Sequence, residues 1–89
     1  MLVEYVYKMT SELTVEEIQD ILSVLNTAFV GWGDERFFQW KYSENPYGES
    51  LHTIGYDGGL PVASMAMWRN DLNDLWAYHL ADLAVIPSH

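Results

Sequence analysis

Apolar positions recur at two different periods along this chain, and the change of period divides it. Val15, Ile18, Ile21, Leu22, Leu25 and Phe29 fall at helical spacing, which predicts an amphipathic helix over 14–29. Its start carries a capping box. The Thr14 hydroxyl can accept from the Glu17 amide while the Glu17 carboxylate reaches back. Gly31 and Gly33 end the helix. Asp34 then caps a second helix over 34–44, rich in aromatics (Phe37, Phe38, Trp40, Tyr42) and closed by Asn45-Pro46, because the residue before a proline avoids the helical region.

Elsewhere the pattern suits strands. Val3, Tyr5, Val6 and Tyr7 supply the β-branched and aromatic side chains of a first strand over 2–9. A strand over 50–56 and a partner over 60–69 flank Asp57-Gly58-Gly59, a tight-turn sequence. Pro61 falls at the start of the second of these, where a missing amide donor is tolerated. Polar residues 70–74 make another turn, and 75–86 a long last strand. The order β-α-α-β-β-β predicts a single α+β unit over 1–89, with mainly antiparallel pairing and two helices.

Composition narrows the function classes. With no cysteine, thiolate metal sites, disulfides and cysteine nucleophiles are excluded. The net charge of −9, with only Lys8, Arg36, Lys41 and Arg69 positive, argues against nucleic acid and anionic membranes as partners. It suits a cationic or amine-bearing partner, although acidity is also a common solubility device. No apolar run approaches the ~20 residues of a membrane span, and the N-terminus reads as a strand rather than an export signal, so the cytoplasm is the expected compartment. His52, His79 and His89 lack metal-ligand spacing, and residues 71–74 lack the glycine and distal glutamate of a calcium loop, so no metal site is expected.

Three segments carry a resemblance. Phe38-Gln39-Trp40-Lys41-Tyr42 is followed by Asn45-Pro46-Tyr47-Gly48. Asp57-Gly58-Gly59 leads into Val62-Ala63. Asp82-Leu83-Ala84-Val85 is followed, one residue on, by Pro87. In this order they resemble the N-terminal half of the Gcn5-related N-acetyltransferases. The resemblance implies half of that acyltransferase fold, with acetyl-CoA as cofactor and a small-molecule or peptide amine as acceptor. It implies that backbone groups of Leu83, Ala84 and Val85 pair with the acetyl and pantetheine amides, as an added strand would. The family continues past this strand into a Gly-rich pyrophosphate loop at a helix N-terminus. Residues 1–89 hold no such segment, so they are expected to be inactive and to bind no cofactor alone.

His79 matches the position where some members of that family carry a glutamate base. Strict alternation along the last strand sets it on the face of Leu83 and Val85, with Asp82 on the other. A histidine's ordinary pKa near 6.5 suits a base at neutral pH. A strand histidine bonded to its neighbours is the plainer reading. Asp82 is either a polar anchor or a carboxylate that binds the acceptor amine. Trp32, Phe38 and Trp40, with Tyr47, surround the segment that forms the family's acceptor pocket and could hold an apolar or cationic acceptor. The same spacing equally suits rings that bury the second helix. A competing reading is a non-catalytic binding or assembly module that reuses the half-fold. For the isolated chain, the long apolar edge of the last strand predicts a homodimer.

Overall fold

A computed structural model describes residues 3–69 and 78–89. Four antiparallel strands stand side by side in chain order: β1 (Val3–Met9), β2 (Leu51–Asp57), β3 (Leu60–Arg69) and β4 (Tyr78–Val85). This is the α+β architecture expected, with two helices between β1 and β2. The expected turn over 70–74, and 75–77 of the expected last strand, lie outside the described residues. Gly58 and Gly59 take φ of 57° and 85° between β2 and β3. Positive φ at both central residues is what a two-residue hairpin turn matched to strand twist requires.

Helix α1 (Val15–Ala28) starts on the capping box, with the Glu17 amide 3.1 Å from Thr14 Oγ1 and the Thr14 amide 2.9 Å from Glu17 Oε1. Glu17 also accepts from Lys8 Nζ at 2.8 Å, which ties the start of α1 to β1. Ile18, Ile21, Leu22, Val24 and Leu25 form its buried face. Val15 and Phe29, at the two ends of the predicted stripe, are exposed.

Helix α2 (Glu35–Phe38) is shorter than the expected 34–44. The Asp34 carboxylate caps it by accepting from the Phe37 amide at 2.9 Å. The chain then widens into a π-turn over Gln39–Ser43, closed by the Glu44 amide on the Gln39 carbonyl at 2.8 Å. Phe38 and Tyr42, four residues apart, keep a common inward face across this turn. Phe38 and Tyr42 are buried, Lys41 is half-buried and Trp40 is exposed.

Both helical segments contribute to one core. The α1 face, Phe38 and Tyr42 cluster with Ile54, Ala66 and Ala84 of the sheet. The opposite face of the sheet carries Tyr5, Tyr7, Leu83 and Val85, all exposed. Ser64 pairs with Ala84, but Ala66 pairs with Ala81, so Asp82 and Leu83 together stand opposite Met65. This is a β-bulge, and Asp82 occupies it with φ of 51°. No helix among the described residues is long and apolar enough to cross a membrane.

Candidate functional site around the fourth strand

The bulge turns the Asp82 side chain onto the helix face. Its carboxylate accepts from Trp32 Nε1 at 2.9 Å, from Lys41 Nζ at 2.8 Å and from the Tyr42 hydroxyl. Burial pushes this carboxyl's pKa up, but the hydrogen bonds from Lys41, Tyr42 and Trp32 outweigh it and hold the group below the ordinary carboxylate range. The Tyr42 hydroxyl is raised, by burial first and by Asp82 second. Lys41 also lies against three rings, 5.5 Å from the centroid of Tyr42 and 5.9 Å from those of Trp32 and Trp68. One carboxylate thus joins the segment after α1, the π-turn and β4.

Beside this hub lies His52, 1% exposed on β2. Its Nε2 is 2.9 Å from Thr10 Oγ1, and its ring stands 4.7 Å from Tyr42 and 5.5 Å from Phe38. Burial pushes its pKa down to about 4, against a smaller upward pull from the Asp82 charge. At neutral pH it is an uncharged imidazole sealed in the core.

The outer edge of β4 has a different character. The Ile86 amide donates to the Val62 carbonyl at 2.9 Å. Backbone direction alternates along an antiparallel strand, so Val85 turns its own N–H and C=O away from β3. Among the described strands β4 is the last in the sheet, and that edge has no neighbour. Ala84, by contrast, buries its side chain toward α1 and is 4% exposed. Leu83 and Val85 project to the bare face of the sheet, where with Tyr5, Tyr7 and Met65 they border a trough of about 340 Å³.

The bulge also corrects the placement of His79. Its partner across the ladder is Trp68, whose indole N–H donates to the Lys41 carbonyl at 3.3 Å on the helix side. His79 is therefore on the helix face with Asp82, not with Leu83 and Val85. Trp68 lies five residues along β3 from Ala63, the partner of Val85, which separates His79 from Val85 by roughly 17 Å at strand rise. Of the predicted acceptor-binding rings, Phe38 has no exposed surface and fills the core. Trp32 is half-buried and committed to Asp82. Trp40 is 65% exposed and stacks on Phe37 with centroids 5.7 Å apart.

Sequence reasoning passed over His52, Lys41 and Tyr42 as members of one constellation. The available signal was Lys41, one of four cations in a chain of net charge −9, set among aromatic residues. Among the described residues no group of side chains is arranged to hold a metal ion.

No family model matches the sequence, and no curated protein matches it. The fold does match a solved structure, that of Escherichia coli ElaA, with a TM-score of 0.74 and 21% identity. The match covers 99% of this chain and 58% of the ElaA chain, so these residues span less than two thirds of ElaA's length. ElaA has the Gcn5-related acetyltransferase fold, and the present chain has half of that fold.

Proposed function

We propose that these residues form the N-terminal part of an acetyl-CoA-dependent N-acetyltransferase acting on an amine. The observation that carries the reading is the end of β4 within this half-fold, where Val85 turns its N–H and C=O to an edge that no other described strand covers. An extended ligand bearing amides pairs with such an edge as a further strand would. The pantetheine arm of acetyl-CoA is a ligand of that kind, and when bound it supplies an activated acyl group as a thioester. Within the set Leu83, Ala84 and Val85, the backbone of Val85 does the pairing. Ala84 seats the strand on α1, and Leu83 faces the trough.

An amine acceptor is an ammonium ion at neutral pH and must lose a proton before its nitrogen attacks. His79 is exposed on the helix side of β4 and is the base we assign to that proton. At roughly 17 Å from Val85 along β4 it lies beyond the reach of one bridging water, so the proton would pass along a chain of several waters. Asp82, with three donors already on its carboxylate, holds the strand rather than the acceptor. Phosphate recognition falls to residues other than 1–89: the turn of Gly31 and Gly33 enters only the four-residue α2, whose start is already taken by the Asp34 carboxylate.

The reading is tested by titrating residues 1–89 and the longest polypeptide encoded in frame with them with acetyl-CoA, then following thiol release with primary amines. Residues 1–89 alone should neither bind nor turn over, and the longer chain should do both. Replacing His79 by Gln there should lower kcat about 100-fold while leaving the affinity for acetyl-CoA unchanged. A longest polypeptide that neither binds acetyl-CoA nor releases thiol overturns the reading. An unchanged kcat removes His79 from it.

A further inference from the structure

A cleft of about 160 Å³ opens between the π-turn and β3, away from the Val85 edge. Trp40, Pro46, Tyr47 and Trp68 give it apolar walls, and Lys41, Glu44 and Asn45 add its polar groups. The walls are fixed before anything binds. Trp68 is held by its bond to the Lys41 carbonyl, and Trp40 by its stack on Phe37. Asn45 donates to the Arg69 carbonyl and accepts from the Tyr47 amide at 3.0 Å, which sets the turn carrying Pro46 and Tyr47.

The charges around the cleft are unequal. Lys41 is opposed by Asp82 at 2.8 Å. Asn45 has its amide nitrogen and its oxygen both engaged. Among the described residues the exposed Glu44 carboxylate has no hydrogen-bond or ion-pair partner. What remains is a half-open aromatic enclosure with one unopposed negative charge, in a chain of net charge −9. The same aromatic neighbourhood already accommodates an ammonium, since Lys41 Nζ lies 5.9 Å from the Trp68 centroid.

We propose that this cleft binds an alkylammonium group, with the cation between Glu44 and the rings of Trp40 and Trp68, and its alkyl part along Pro46 and Tyr47. Ring faces attract cations through their quadrupole, and a neighbouring carboxylate adds a direct charge. Apart from Glu44 the cleft has few free acceptors, so it favours a cation with apolar substituents over a polyhydroxylated or anionic ligand. The inference deepens the acetyltransferase reading and, for its biological role, rests on it: the acceptor would carry a cationic alkylammonium group recognised in this cleft. Binding itself depends only on the cleft.

The test uses residues 1–89 and simple probes. Butylammonium and tetramethylammonium are titrated while the indole N–H signals of Trp40 and Trp68 are followed by NMR, with butyrate and sodium chloride as controls. Both ammonium ions should give saturable shifts at these two indoles, and the controls none. Trp40→Ala should weaken binding about 5-fold or more and Glu44→Gln about 3-fold. Both side chains are exposed, so the variants should keep the parent fold, which the remaining amide signals report. Shifts that do not saturate, or that survive both substitutions, overturn the inference. Saturable binding without acetyl transfer by the longer polypeptide would uphold the cleft and refute the enzyme. The reverse pattern would refute the cleft alone.

Discussion

At the scale of single residues, buried His52 and half-buried Asp82 respond to acid in separate pH windows. His52 is neutral in the core with its pKa near 4, whereas an unfolded histidine titrates near 6.5. Between these values the unfolded chain binds a proton that the folded chain refuses. His52 therefore contributes full stability above about pH 6.5, and roughly 3 kcal/mol of it is lost as pH falls toward 4. Urea unfolding at several pH values checks this, and His52→Gln should flatten the slope across that window. Asp82 has a depressed pKa, so its contribution is present above the unfolded value near 3.9 and is lost only as pH falls through the lower folded value. Asp82→Asn keeps a residue that tolerates positive φ but removes the charge facing Lys41. Unfolding at pH 7 should show a loss of about 2 kcal/mol, and a loss below ~0.5 kcal/mol would mean the hub is not holding β4.

At the scale of elements, the parts that local chemistry specifies were legible in the sequence and the parts specified at long range were not. Thr14 with Glu17 marks the start of α1, and the Gly58-Gly59 pair marks the turn before β3, because each signal acts within four residues. The bulge at Asp82 is held by Trp32, Lys41 and Tyr42, all at least 40 residues away in the chain. Strict alternation does not show it and sets His79 on the wrong face. The π-turn after α2 has no local signal either, since Phe38 and Tyr42, four residues apart, share the buried face as they would in a regular helix, with Trp40, two residues from each, outside. The edge strand yields its own prediction. Leu80, Leu83 and Val85 are 58%, 54% and 49% exposed, and Asp82, the one formal charge of β4, is turned inward to the hub. An edge so poorly protected pairs with another chain. Light scattering of residues 1–89 over a range of concentrations should show a homodimer that Leu83→Lys converts to monomer. A monomer at every concentration would mean that the bare face tolerates water.

At the scale of the whole molecule, the described residues cover the sheet with helices on one face and leave the other bare, and the outer edge of β4 has no described neighbour. A half-fold of the acetyltransferase type accounts for both features. The helix side builds the core, with the His52 and Asp82 groups locking the π-turn to the sheet. The Val85 edge is where an amide-bearing acyl donor would add itself. The central claim is thus about one strand edge, and amide NMR addresses it at the atom concerned. Spectra of the longest in-frame polypeptide, recorded with and without acetyl-CoA, should show the Val85 amide shifted and its hydrogen exchange slowed by about 10-fold or more. Acetyl-CoA that binds while the Val85 amide keeps both its shift and its exchange rate would contradict the account.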